Sequence, residues 1–373
     1  MRVVVPREIK EGEKRVALVP DVINKLTRLG LEVVVEAGAG VHSQATDADF
    51  SAAGATIKPG DALADADVVL SVQPLTPKQM STLKKGAITI SFLSPVTAVD
   101  SIDAAAAAGV TAFSLELVPR ISRAQSMDAL TSQALCAGYR AAIVGAELSP
   151  RFFPMLMTAA GTVTPAQVLV LGAGVAGLQA IATARRLGAV VSAYDVRPAS
   201  ADEVRSMGAT FIELELEALE GAGGYAREMT EDRAAKQREL LTPYIAKSHV
   251  VITTAAVPGR QAPRLMTQQM VDAMAPGTII VDLAAETGGN VEGSKPGEIV
   301  ETTGGVRIWG GKDVPSQLPF HASFLYSRNV VNLLSLFTTP AKDDQKVGFN
   351  LDFEDEIING AAVTHAGARR GAK

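Results

Sequence analysis

A buried strand that runs into a glycine-rich turn and then into a helix is the feature that most constrains this chain. It is the run Gln167-Val-Leu-Val-Leu-Gly172-Ala-Gly174-Val175-Ala176-Gly177. Gly172 permits a tight turn. A side chain at Gly174 would collide with a pyrophosphate, and Gly177 lets the helix pack close to the strand. At the start of that helix, around Val175 and Ala176, free N–H groups and a partial positive charge face the phosphates. Three spaced glycines alone also fit a purely structural turn. Here the context favours a dinucleotide: a strand precedes the turn, residues 176–187 read as a helix, and a second strand over 190–194 ends at Asp195. Asp195 stands 18 residues beyond Gly177, near the spacing of about 20 expected of a ribose-binding acid. It accepts hydrogen bonds from a ribose 2′-OH and repels a 2′-phosphate, so the segment Asp195-Val196-Arg197 points to NAD(H). Arg197 pulls the other way, since an arginine there suits a 2′-phosphate. The strand-end position of Asp195 carries more weight.

Around this turn the chain alternates strands and helices, which implies parallel α/β sheets. Strand-like runs occur at 2–5, 31–35, 67–72, 87–93 and 110–114, with helical patterns from Pro20 to about Gly30, at 78–85 and at 104–108. A long helical stretch over 126–148 leads to a second series of strands, at 167–171, 190–194, 209–212, 249–253, 278–282 and 306–309. That count suits a complete doubly wound nucleotide domain. The apolar helical segment 320–337 follows with no strand partner nearby and is expected to return to the first domain. The fold class is therefore α/β, with two Rossmann-like doubly wound parallel-sheet domains, the second inserted in the first. The expected bounds are 1–130 plus 320–373 for the first domain and 131–319 for the second. One segment, 213–238, breaks the rhythm with alternating charge and with Gly221, Gly223 and Gly224 before Tyr225. It reads either as a solvated charged excursion or as a functional lid.

Two later strand ends should line the same crevice, because ligands sit at the carboxyl ends of parallel strands. These are Thr253 to Gly259, with Ala255, and Val281 to Asn290, with Glu286. Glu286 also reads as a solvated loop acid.

Composition narrows the field. The net charge of −5 and the lack of a basic stripe argue against a nucleic-acid partner. The single cysteine, Cys136, excludes a disulfide framework; its apolar surroundings read as core, and a reducing compartment fits. None of the four histidines pairs with another at metal-ligand spacing, so no metal is expected. The first residues, MRVVVPREIK, lack the apolar core of a signal peptide. No apolar run reaches the roughly 18 residues of a membrane span.

Pro6-Arg7-Glu8 through Glu13-Lys14-Arg15-Val16, and the Gly-Ala-Gly at 38–40, resemble the N-terminal signature of the alanine dehydrogenase and proton-translocating transhydrogenase superfamily. In alanine dehydrogenases an arginine at the Arg15 position binds the substrate carboxylate, and a lysine and a histidine act at the imine carbon. Here Gln73 and Phe92 stand opposite those two, and neither can transfer a proton as alanine deamination requires. The run Pro119-Arg120-Ile-Ser-Arg123-Ala-Gln125-Ser-Met-Asp128 is similar to the signature loop of the transhydrogenase NAD(H)-binding component. The resemblance implies that Arg120, Gln125 and Asp128 line the nicotinamide end, with Thr131 at the position of the family's hydroxyl. On the residues alone the stretch reads as a polar helix N-terminus with Ser126 as its cap. Gly223-Gly224-Tyr225-Ala226 resembles the family's mobile loop, which closes over nucleotide; closing lids exclude water.

The resemblance implies direct hydride transfer from NADH to NADP⁺ on a separate NADP(H)-binding subunit. It also implies a membrane-spanning proton-channel subunit as partner, a peripheral place on the cytoplasmic face of the membrane, and a homodimer. An apolar, helix-like stretch near Phe152 to Met157 is a candidate dimer interface, with core burial the other reading. The rival functions are a stand-alone alanine dehydrogenase and a non-catalytic NAD(H)-sensing module.

Overall fold

The structure is a computed structural model that describes every residue except 61, 217–229, 257–258, 342–345 and 371–373. The chain divides into two compact units, Met1–Gln133 with Pro315–Lys373, and Ala134–Val314.

In the first unit, six strands run parallel: β1 (Arg2–Val5), β2 (Glu32–Glu36), β3 (Thr56–Lys58), β4 (Val68–Leu70), β5 (Ile88–Ser91) and β6 (Thr111–Ser114). Their spatial order is β3-β2-β1-β4-β5-β6, so it reverses between β1 and β4. Val3 to Val5, Val33 to Val35 and Val68 to Leu70 are all buried, the continuous apolar pattern required of parallel strands covered on both faces. The helix Pro319–Phe337 places Tyr326, Val330, Leu334 and Phe337 in one core with Val3, Val5, Ile23 and Phe50. Each such side chain contributes about 1.5–3 kcal/mol on burial. Two antiparallel strands, Ala362–His365 and Ala368–Arg369, extend the sheet beyond β6.

In the second unit the long helix Ala129–Leu148 is followed by an antiparallel hairpin of β7 (Leu156–Thr158) and β8 (Gly161–Val163). A seven-stranded sheet follows, of β9 (Gln167–Leu171), β10 (Val190–Tyr194), β11 (Thr210–Phe211), β12 (Val250–Thr253), β13 (Ile279–Asp282), β14 (Ile299–Glu301) and β15 (Arg307–Gly310). Its order is β11-β10-β9-β12-β13-β15-β14, with only β14 antiparallel to its neighbour. The order reverses between β9 and β12, and such a switch point is where doubly wound sheets take their ligands.

Three expectations need correction. Residues 152–157 are not helical. Phe153 is buried, but Phe152, Met155 and Met157 are exposed, Met157 at 79%, on the hairpin and its approach. Pro154 and the β-favouring Thr158, Thr162 and Val163 suit that conformation. Residues 231–238, expected in an irregular loop, form the first turns of the helix Glu231–Lys247. Glu231 and Asp232 complement its N-terminus, and Gln237, Leu241 and Ile245 supply its buried side. The long helix begins at Ala129, preceded by a 3₁₀ segment over Ser122–Met127. Cys136 is buried in the long helix. Among the described residues, no helix is long and apolar enough to cross a membrane.

Candidate functional site

The strand β9 ends in the glycine turn, and each glycine has its own physical reason. Gly172 has φ +102°, in the region open to glycine, and a Cβ there would lie 2.7 Å from Thr254 Oγ1. Gly174 precedes the helix Val175–Arg186, and a Cβ on it would meet nothing within 4 Å. A Cβ on Gly177 would lie 2.9 Å from the carbonyl carbon of Gly172, with that carbonyl's oxygen nearer still. No side chain caps this helix, so the amides at Val175, Ala176 and Gly177 are the orphan donors of a helix start.

Asp195, at the end of β10, accepts hydrogen bonds on both carboxylate oxygens. Ala173 N–H donates to its Oδ2 (2.7 Å) and Arg197 N–H to its Oδ1 (2.9 Å). The Arg197 guanidinium pairs with both oxygens, at 2.9 Å each. Asp195 is thereby tied to the glycine turn, and the two residues that pull towards opposite nucleotides form one bidentate pair. The carboxylate holds the Arg197 guanidinium above its ordinary range. Val196 packs on the apolar cluster behind them. Ala255 follows β12 and lies against Gly172, since a Cβ on Gly172 would also meet the Ala255 nitrogen at 3.2 Å. Glu286 is exposed on the 3₁₀ turn Ala285–Thr287 and accepts from Asp313 N–H (2.9 Å). Tyr225 and its glycines lie outside the described residues.

Arg120, Gln125, Asp128 and Thr131 belong to the first unit. Arg120 and Gln125 are exposed, Gln125 on the 3₁₀ segment. Asp128, rather than Ser126, caps the long helix: Thr131 N–H donates to Asp128 Oδ1 (2.9 Å) and Thr131 Oγ1–H to Oδ2 (2.6 Å). Ser126 instead offers its carbonyl to the side-chain amides of Asn329 and Asn332 (3.0 and 3.1 Å). Arg123 pairs with Asp355 at 2.6 and 3.1 Å. These ties hold both ends of the loop, and Asn329, Asn332 and Asp355 were not singled out from the sequence. No local pattern marks them, because their partners lie more than 200 residues away.

The carboxyl ends of β1 and β4 carry a buried polar cluster. Arg15 donates to Glu13 through Nε (2.8 Å) and Nη2 (2.6 Å), and to Gln133 through Nη1 (2.9 Å). Ser316 donates to Glu13 Oε1 (2.5 Å), and Gln73 Nε2 to Glu13 Oε2 (2.6 Å). Phe92 lies 5.3 Å from the Tyr326 ring and 5.9 Å from the Arg15 guanidinium. Burial works to raise the Glu13 carboxyl, but the hydrogen bonds and charge of Arg15 overcome it and hold it at about 2. At Glu8 the balance falls the other way. Burial pushes it up to about 7, against the pull of the Val72 and Gln73 amides that donate to it (2.5 and 3.2 Å). In the sequence Glu8 carries only a faint signal of this, an acid three residues beyond a buried strand.

The N-terminal domain of the family described as alanine dehydrogenase/PNT matches residues 4–137, and its C-terminal domain matches residues 141–370. An NAD(P) transhydrogenase subunit alpha polypeptide of Rhodospirillum rubrum is 48% identical, covering 99% of this chain and 97% of that protein. The alanine dehydrogenase of Mycobacterium tuberculosis is 35% identical, over 79% of this chain and 76% of that protein. The crystal structure of transhydrogenase from Sinorhizobium meliloti superposes with a TM-score of 0.89 at 45% identity, covering 99% of this chain and 100% of that one.

Proposed function

The chain belongs to the alanine dehydrogenase/PNT family, and within it we propose that it is the NAD(H)-binding component of a proton-translocating transhydrogenase. When bound, NADH supplies the hydride, which passes directly to NADP⁺ held on a partner subunit; a membrane-spanning subunit couples this to proton movement. The residues of this chain bind and orient. The turn Gly172 to Gly177 takes the pyrophosphate on the amides of Val175, Ala176 and Gly177. Asp195 takes the adenosine ribose, flanked by Val196 and Arg197, and Ala255 and Glu286 line the crevice. Arg120, Gln125 and Asp128 serve the dihydronicotinamide end, with Thr131 behind Asp128. The chain works as a homodimer on the cytoplasmic face of the membrane, and the exposed Leu156 and Met157 offer it an apolar contact.

The observation that carries the choice within the family is the polar cluster of the first unit. The positions that need a proton-transferring lysine and histidine hold Gln73, donating to Glu13, and Phe92, its ring tilted at 48° to that of Tyr326. Arg15 spends its donors on Glu13 and Gln133. Hydride transfer between two nicotinamides asks no proton of the protein, whereas deamination does. The test is a nucleotide titration beside an alanine-oxidation assay. Tighter binding of NADH than NADPH, with no alanine-dependent NAD⁺ reduction, is expected. Alanine turnover would favour the rival dehydrogenase.

A further inference from the structure

Asn290 stands fully buried, as does Asp282 at the end of β13. Every hydrogen-bonding group of Asn290 is engaged. Its side-chain oxygen accepts from Ala255 N–H (3.1 Å), and its Nδ2 donates to the carbonyls of Ala255 and Pro263 (2.8 Å each). Its carbonyl accepts from the amides of Leu265 and Met266 (2.8 and 3.0 Å). Its own N–H donates to Asp282 Oδ1 (3.3 Å). Asp282 in turn accepts from Thr253 Oγ1–H, Ala284 N–H and Val291 N–H. One side-chain amide therefore joins the chain leaving β12 to the point where it returns at Pro263, in the manner of a strand neighbour.

That chain segment lies at the switch point. Thr254 Oγ1–H donates to Gly172 O (3.0 Å), and Thr254 N–H to Leu171 O (2.9 Å). Thr254 and Ala255 carry the atoms a side chain on Gly172 would strike. The connections run from Asp282 through Asn290 and Ala255 to the glycine turn, all within the second unit. We propose that Asn290 is a positioning residue for nucleotide binding, fixing Thr254 and Ala255 against the turn that receives the pyrophosphate. It touches no reacting atom, and the inference rests on the nucleotide reading above. Aspartate cannot replace it, because a carboxylate would face two carbonyl oxygens, those of Ala255 and Pro263, where the amide donates. Alanine leaves one N–H and two carbonyls unsatisfied.

A role in positioning predicts a split between affinity and turnover. In Asn290→Ala the NADH dissociation constant should rise about tenfold, equivalent to about 1.4 kcal/mol. Turnover at saturating nucleotides with an NADP(H)-binding partner should stay within about twofold, since uniform binding is what has been lost. Should that variant fail to fold, Arg264→Ala decides. The exposed Arg264 ties the same return segment to Val291 and Gly288 through their carbonyls (2.6 and 3.2 Å). Its loss should raise the NADH dissociation constant about threefold, the scale of one net hydrogen bond. Unchanged NADH affinity in the folded Asn290 variant, or in Arg264→Ala where the first does not fold, overturns the proposal. Lost turnover with affinity intact overturns it equally. A wild-type chain that binds no NADH would instead sink the nucleotide reading itself.

Discussion

Gly177→Ala and Gly174→Ala add the same methyl group three residues apart and should do opposite things. On Gly177 the new Cβ sits 2.9 Å from the Gly172 carbonyl carbon, nearer its oxygen, and 3.2 Å from Thr254 Oγ1. Comfortable carbon contacts begin at about 3.5 Å, and two of the obstacles are backbone, so the helix or the turn must move. Overpacking costs about 1–3 kcal/mol; the clash with backbone puts this site in the upper part of that range, and about 1–2 kcal/mol remains after the roughly 1 kcal/mol that alanine gains in helix propensity. The melting midpoint should fall by about 2–8 °C for a unit of this size, and the displaced turn should also bind NADH less well. On Gly174 the Cβ meets nothing within 4 Å, and φ −77° with ψ −168° suits alanine. Stability should stay within about 0.5 kcal/mol, while NADH affinity drops at least about tenfold as the methyl fills the pyrophosphate's place. Thermal unfolding and NADH titration on both variants separate the two effects. Wild-type affinity in Gly174→Ala would refute the placement of the pyrophosphate, and an unshifted midpoint in Gly177→Ala would refute the packing argument.

Three other perturbations bear on the first unit. Glu8, pushed up to about 7 by burial from its ordinary 4.5, binds a proton in the folded state over that interval. At about 1.36 kcal/mol per pH unit, stability should decline by up to about 3 kcal/mol as pH rises from about 4.5 to 7, then level off. Urea midpoints across that range should show the slope, and Glu8→Gln should flatten it. Glu13, held at about 2, contributes in the other sense: its stabilisation is full above about 4.5 and fades as pH falls towards 2. Glu13→Ala strands the buried Arg15 and should cost about 3–5 kcal/mol, measured by chemical denaturation; pairing Glu13→Leu with Arg15→Met should recover most of it. Asp128→Ala removes a helix cap and should cost about 1 kcal/mol in the same assay. Asp128→Asn keeps the cap, so any fall in transhydrogenation it causes reports on the nucleotide rather than the helix.

What was legible in the sequence was local. The strand, the glycine turn and the helix lie within about twenty residues, and the alternation of Val-rich runs with helical segments prescribes a doubly wound sheet before any tertiary contact is known. Asp195 is legible for the same reason. Its partnership with Arg197 is not, because a rotamer decides whether two neighbouring side chains compete or pair. Asn290 looks like an ordinary loop residue, since its partners Ala255 and Pro263 lie 35 and 27 residues back. Glu8 is tied to amides 64 and 65 residues on, so its titration is invisible locally. The stretch 152–157 reads as helix when counted by apolar residues alone, without weighing Pro154 or the turn between Thr158 and Gly161. The cap at Asp128 was within reach, since Thr131 stands three residues on.

The central claim is direct hydride transfer to a partner's nucleotide, and one reconstitution tests it. The purified chain is mixed with a transhydrogenase NADP(H)-binding component, NADPH, NADH and acetylpyridine-NAD⁺, and cyclic reduction of the acceptor is followed for wild type and Gln125→Asn. The account predicts rapid turnover that collapses in the variant while NADH binding persists. Tight NADH binding with no turnover on any such partner would contradict it and leave a nucleotide-sensing module as the better description.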